Sequence, residues 1–171
     1  VALLAQSGAH GLVQAGMAQT LQTLSGNRYV LGFGRGVPSQ FRKLGIPVVN
    51  LQAIADHAMI LRKLWAGETV SYSGPAGEYP EMQLPQGCDT PPPIILGTIG
   101  PKTLALAGAH FDGVVLHPFL TVEGVARSIK IVRDAAREAG RDPAAVKIYA
   151  TIVTAPDFLP DKKRADILEA R

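Results

Sequence analysis

Pro91-Pro92-Pro93-Ile94-Ile95-Leu96-Gly97-Thr98-Ile99-Gly100-Pro101-Lys102-Thr103 holds a strand, a turn and a helix start in one short run. The three prolines cannot continue a helix and favour extended chain. Ile94-Ile95-Leu96 follows without polar alternation, the pattern of a strand covered on both faces. Gly97 and Gly100 permit a tight turn, or a close approach of backbone to a ligand. Pro101 suits the first helical position, where its missing N–H would be unsatisfied anyway. The run reads as one βα unit with its loop at the carboxyl end of the strand.

The same unit recurs on either side. Upstream, residues 12–24 read as a helix ending at Ser25-Gly26-Asn27, and Tyr29-Val30-Leu31-Gly32-Phe33-Gly34 as a strand. Asn50 is a good N-cap for a helix in which Leu51, Ile54, Ala58, Leu61 and Trp65 make one apolar stripe, closed by Gly67. Downstream come a helix over 101–109, the strand Val114-Val115-Leu116, and a helix capped by Thr121 and closed by Gly140. A strand over 146–153 and a helix starting near Asp161 complete the pattern. Residues 68–90 break the rhythm, because Val70, Tyr72 and Tyr79 flank Gly74-Pro75-Ala76-Gly77, the signal of a hairpin insertion. Four apolar strands, each followed by a helix, imply an α/β fold with a parallel sheet. Periodicity does not choose between a flavodoxin-like open sheet and a closed barrel.

Composition removes several function classes. The 171 residues are 47% hydrophobic and 18% charged, which is ordinary for a globular domain with its own core. The net charge of +3 comes from scattered residues, and the densest basic run, Lys162-Lys163-Arg164, has Asp161 and Asp166 beside it. With few aromatics to stack on bases, no nucleic-acid surface is expected. The lone Cys88 excludes an internal disulfide and a four-thiolate metal site, and fits a reducing cytoplasm. No apolar run approaches the roughly 20 residues of a membrane span. No two histidines share a metal-ligand spacing, so no metal site is expected. The absence of a G-x-S-x-G elbow and of a Walker A loop argues against hydrolase and P-loop chemistry. Val1 at the start, and a charged helical run still under way at Arg171, read as a cut chain: one incomplete domain over 1–171.

In parallel sheets ligands gather at the carboxyl ends of the strands. Those positions are Gly34-Arg35-Gly36, Gly97 to Gly100, His117-Pro118 and Thr154-Ala155-Pro156. Gly97-Thr98-Ile99-Gly100-Pro101-Lys102-Thr103 is the best anion site, since helix N-terminal N–H groups point outward there and Lys102, Thr98 and Thr103 add donors. The competing reading is a tight loop that uses glycine for geometry alone. Gly32-Phe33-Gly34-Arg35-Gly36 is spaced G-x-G-x-G, not G-x-G-x-x-G, and Pro38 interrupts the expected helix, so it is a poor dinucleotide fingerprint. It fits better as backbone lying close to a flat cofactor or substrate, or as room between layers. His117, at a strand end, is the candidate proton donor. His57 is expected to be solvated, and His110 to cap the last carbonyls of its helix.

Read in order, these pieces resemble a known family. Thr20-Leu21, Leu24-Ser25-Gly26-Asn27-Arg28 and Leu31 to Gly36 resemble its "TL…LS-x-x-R…LG-x-G-x-G" segment. Leu61 to Gly67 resembles "LR-x-LW-x-G". Pro92-Pro93-Ile94, Gly97, Gly100-Pro101-Lys102, Ala107-Gly108 and Asp112-Gly113 resemble "PPI…G-x-x-GPK…AG…DG". The chain is similar to the luciferase-like monooxygenase superfamily, in its F420-dependent oxidoreductase branch. The resemblance implies a partial (β/α)8 TIM barrel: strands four to seven with their helices, one insertion at about 68–90, and the end of strand three in residues 1–9.

It further implies hydride transfer between an organic substrate and the deazaflavin coenzyme F420. The alternatives are an FMN-dependent monooxygenase using oxygen on the same fold, and a non-catalytic barrel remnant or cofactor-binding protein. The cofactor's phosphate tail would meet Gly97, Thr98, Ile99, Gly100, Pro101, Lys102 and Thr103, with Gly34, Arg35 and Gly36 flanking its ring or the substrate and His117 on the substrate side. A small-molecule substrate, a cytoplasmic setting and a homodimer of the full-length protein follow. One departure matters: sugar-phosphate dehydrogenases of the family place a catalytic Glu where this chain has Val37, so the resemblance does not carry that substrate across.

Overall fold

The computed structural model describes residues 2–5, 11–43, 45, 48–152, 154 and 158–169. Of the strand-end segments singled out above, Ala155 and Pro156 lie outside the described residues, as do Val153 and the chain end at Arg171. Five strands form one sheet: β1 (Ala2–Ala5), β2 (Leu31–Gly34), β5 (Ile94–Thr98), β6 (Gly113–Leu116) and β7 (Lys147–Tyr149). All four pairings in it are parallel. Between the strands run α1 (Gly11–Leu24), α2 (Pro38–Lys43), α3 (Leu51–Trp65), α4 (Pro101–His110) and α5 (Val122–Glu138), and α6 (Asp161–Glu169) follows β7.

Strand order settles what periodicity left open. The strands neighbour one another in chain order, without the reversal that a doubly wound open sheet has at its switch point. The helices follow suit: α1 packs on α3, α3 on α4, and α4 on α5. Consecutive helices in contact lie on one face of the sheet, which is the arrangement of a (β/α)8 wall.

The two faces differ in composition. Leu31 and Phe33 of β2, Ile94 and Leu96 of β5, and Val114 and Leu116 of β6 belong to the core shared with the helices. Register places Gly32, Gly34, Ile95, Gly97, Gly113, Val115 and Tyr149 on the opposite, concave face. Gly113 is needed there, because a Cβ would sit 2.8 Å from the Lys147 carbonyl oxygen.

Local signals explain most element ends. Asn50 Oδ1 accepts from the Ala53 N–H at 2.7 Å, and Thr121 Oγ1 from the Gly124 N–H at 3.1 Å, each satisfying a donor in a helix's first turn. The hairpin of β3 (Val70–Gly74) and β4 (Gly77–Met82) turns through Pro75-Ala76 as the sequence predicts. It is tied to α3 by Tyr72 Oη, which donates to Asp56 Oδ2 at 2.6 Å. Burial, and then this bond to a carboxylate, hold the Tyr72 hydroxyl above its ordinary pKa. Strand β7 is shorter than expected: it pairs with β6 only as far as Tyr149, and Ile152 beyond it is 80% exposed. Pro38 does not merely interrupt a helix but starts the short α2, the position proline favours.

Two histidine expectations are corrected. His57 is buried, its Nε2 2.6 Å from Gln14 Oε1 and its ring edge-on to Phe33. It lies three residues after Ile54 and one before Ala58, inside the apolar stripe, so α1 and β2 cover it. At the end of α4, arginines take the place expected of the His110 ring. Arg62 Nη1 donates to the His110 carbonyl at 2.7 Å and Arg141 Nη1 to that of Gly108 at 2.6 Å. Burial, then Arg141 and Arg62, lower the His110 pKa.

Asp112 fastens this end of the sheet. Its Oδ2 accepts from the Ile94 N–H at 2.8 Å and from Arg62 Nη2 at 3.0 Å. Asp112→Asn is expected to cost about 1–2 kcal/mol. Charge-assisted bonds are worth about 1.5–3 kcal/mol, and half-exposed carboxylates deliver less. Urea unfolding checks it, and an unchanged midpoint would contradict the assignment.

Candidate functional site

Parallel strands deliver their following loops to one edge of the sheet. At that carboxyl edge lies a cleft of about 470 Å³. Gly34, Arg35, Gly36 and Pro38 form the wall after β2, Gly97 to Gly100 with Thr103 the wall after β5, and Val115, Leu116 and His117 the wall after β6. Gly34 and Gly97 are register partners, so the loops that follow them emerge side by side. Among the described residues no carboxylate lines the cleft, and its polar side chains are Arg35, Thr98, Thr103 and His117.

The β5 wall offers hydrogen-bond donors at a helix start. Gly100 caps α4 with backbone only and makes no side-chain capping bond; Pro101 has no N–H and the Thr103 N–H donates to the Gly100 carbonyl at 3.1 Å, so the Lys102 N–H is the first-turn donor left for a ligand. A Cβ built on Gly100 meets nothing within 4 Å, so this atom faces open space. Beside it, Thr98 is 7% exposed, and its Oγ1 is buried with no hydrogen-bond partner. A buried hydroxyl left unpaired costs about 1–3 kcal/mol, a cost that a water or a ligand pairing it would remove.

Opposite, the β2 loop is pinned. Gly36 has φ +71°, and a Cβ there would overlap the Phe41 ring, itself 7% exposed on α2. At the β6 end, the Phe119 N–H donates to His117 Nδ1 at 3.3 Å and the two rings tilt together at 5.3 Å. With Nδ1 accepting, the neutral imidazole carries its proton on Nε2 and offers a donor.

The structure therefore gathers Gly34, Arg35, Gly36, Gly97, Thr98, Ile99, Gly100, Thr103 and His117 at one cleft. Pro101 and Lys102 do not line it; Lys102 sits exposed on the first turn of α4. Val37, where relatives of one type carry an acid, is half exposed. Phe41, which fixes Gly36, gave no signal in the sequence, since the contact depends on a short helix folding back. Among the described residues no group of three or more His, Cys, Asp and Glu is placed to hold a metal, and no helix is long and apolar enough to cross a membrane.

Comparison with known proteins adds the lineage. The family model described as luciferase-like monooxygenase matches residues 9–169. The 5,10-methylenetetrahydromethanopterin reductase of Methanolobus tindarius is 31% identical over 166 residues, 92% of this chain and 49% of the relative. The solved coenzyme F420 dependent tetrahydromethanopterin reductase of Methanopyrus kandleri superposes with a TM-score of 0.73 at 23% identity, over 86% of this chain and 47% of that one. A monooxygenase from Streptomyces bottropensis superposes at 0.67 with 28% identity, over 95% and 51%. The chain spans about half the length of the curated relative it matches.

Proposed function

Because this chain belongs to the luciferase-like monooxygenase family, we propose that its cleft holds coenzyme F420 and that the protein transfers a hydride between F420 and an organic substrate. The carrying observation is the unpartnered Thr98 hydroxyl beside the uncapped start of α4. The residues present fit the group: they offer donors and an open cradle, and among the described residues no carboxylate lines the cleft to repel an anionic tail. Bound F420 supplies the hydride chemistry; the protein supplies position and polarity.

Each wall has a task in this reading. The Lys102 N–H in the first turn of α4, with the Thr98 and Thr103 hydroxyls, holds the phosphate. The glycines Gly34 and Gly97 keep side chains off the concave face so that a flat ring can lie on the sheet edge. The His117 Nε2 proton is available to a substrate oxygen. A small organic substrate fits a cleft of this size.

A second reading, an FMN-dependent monooxygenase using oxygen, is favoured by the likeness to the Streptomyces monooxygenase. The two separate in one experiment. The protein is incubated with reduced F420 and with reduced FMN, and bleaching and oxygen uptake are followed. Rapid oxygen consumption with FMN and no F420 binding would overturn the first reading. Binding of neither would leave a non-catalytic barrel wall.

A cytoplasmic homodimer completes the proposal. The charge-free α1 exposes Val13, Met17, Leu21 and Leu24 at helical spacing, a stripe suited to an isologous pairing. Met17→Lys is then expected to halve the mass seen by sedimentation. An unchanged mass would remove α1 from the interface.

A further inference from the structure

Charge also gathers at the far end of α4, on the amino edge of the sheet. A hollow of about 440 Å³ opens there. Among the described residues its charged lining is Arg62 and Lys63 of α3, Arg141 after α5, and Asp112 before β6. Three cations thus face one carboxylate. Both guanidiniums converge on it, Arg62 Nη2 lying 3.0 Å from Asp112 Oδ2 and Arg141 Nη2 4.0 Å from Oδ1. Each is also tied to the end of α4, through the His110 and Gly108 carbonyls. A guanidinium has five N–H donors, so these bonds fix both heads and leave donors on each unspent. Lys63 Nζ stands 4.0 Å from Glu68, beyond hydrogen-bond reach. Met59 and Ala109 line the remaining surface, and the His110 imidazole completes the hollow.

From this we propose that the hollow binds a dianionic oxyanion, a phosphate or a phosphate ester, clamped by Arg62, Lys63 and Arg141. The site is independent of the cofactor cleft. Gly100 and His110 stand at opposite ends of the ten-residue α4, about 15 Å apart. The carbonyl end of a helix carries partial negative charge and would repel an anion on its own; here two arginines cover it. A bound dianion offsets the mutual repulsion of these cations and ties α3, α4 and α5 together, so stability follows anion concentration. It also draws a proton onto His110. That ring faces Arg62 and Asp56 of α3, Arg141 and Asp112, and it is burial, then Arg141 and Arg62, that lower its pKa. A dianion counters the two arginines and favours the protonated ring, so the ligand binds more tightly as pH falls.

The test is titration calorimetry on the 171-residue chain, with inorganic phosphate as probe. Gly100→Val closes the start of α4 and leaves the hollow intact. That variant is expected to keep one phosphate site, which Lys63→Met weakens about tenfold, the loss of one charge-assisted bond. Lys63→Met alone should weaken phosphate at this site in the unaltered chain too, while F420 affinity stays within about twofold. Thermal unfolding without phosphate confirms that the variants fold. Sulfate, which stays a dianion, should bind several-fold more tightly to Gly100→Val at about pH 5.5 than at about pH 8, and His110→Asn should abolish the difference. Phenyl phosphate separates the two sources: tighter binding than phosphate identifies an ester, equal binding the free ion. No phosphate binding by the Gly100→Val chain, or equal affinity with and without Lys63, overturns the proposal and leaves Arg62 and Arg141 as caps of α4. Failure of the cofactor reading shows separately, as no F420 binding by the unaltered chain.

Discussion

Gly100→Val abolishes F420 binding and leaves the fold standing. Gly100 has φ −94° and ψ 158°, extended values open to any residue, and a Cβ there meets no atom within 4 Å. The substitution therefore strains nothing; it exchanges an acceptable capping residue for a poor one, at a cost of about 1 kcal/mol. What it does fill is the space over the first turn of α4, where two γ-methyls would stand between the Lys102 N–H and an anion. The expected loss of affinity is at least 100-fold, about 3 kcal/mol. Fluorescence titration with F420 reads the loss, and thermal unfolding confirms the fold. Lys102→Ala should act more weakly, by a few-fold, because the Lys102 side chain stands outside the cleft and contributes only its exposed charge. Full affinity in Gly100→Val would remove α4 from the site.

Gly108→Ala destabilises the protein, against the helix scale. In an ordinary helix interior this change gains about 1 kcal/mol. At Gly108 a Cβ would overlap the Val132 carbonyl oxygen and lie 3.1 Å from Ala135 Cβ. The obstacle is backbone of α5, which cannot rotate aside as a side chain would, so α4 and α5 must move apart. That separation also pulls on the bond from Arg141 to the Gly108 carbonyl. Overpacking of this kind costs about 1–3 kcal/mol, and with backbone as the obstacle the top of that range applies, a net loss of about 2 kcal/mol after the propensity gain. With roughly 5–15 kcal/mol holding a domain, the change is large. A urea midpoint that rises would show that the helices yield, and would sink the argument. The same geometry gives a physical reason for the Ala107-Gly108 pair in the sequence: small residues where two helices meet.

Much of this was legible in the residues, and the exceptions have causes. Strands β2, β5 and β6 announced themselves because both of their faces are covered by hydrophobic or small residues. Asn50 and Thr121 marked helix starts because capping is local chemistry. Barrel wall against open sheet was not legible in periodicity, since both use the same βα period and differ only in which strands become neighbours; the family resemblance supplied the barrel. His57 was misjudged because a polar residue inside an apolar stripe looks like an edge; its partner Gln14 lies 43 positions away. At the site, glycine spacing located the β5 loop. It did not reveal that Pro101 and Lys102 fall outside the cleft, nor that Phe41 holds Gly36. Such contacts depend on where a short helix turns, and no periodicity records that.

The idea that an anion pairs with the Thr98 hydroxyl is open to a single substitution. Thr98→Val keeps the shape and removes the buried, unpartnered oxygen. The chain alone should become as stable or more so, while F420 binds about tenfold more weakly for want of one hydrogen bond to a charged group. Unchanged F420 affinity in the valine variant would contradict the account.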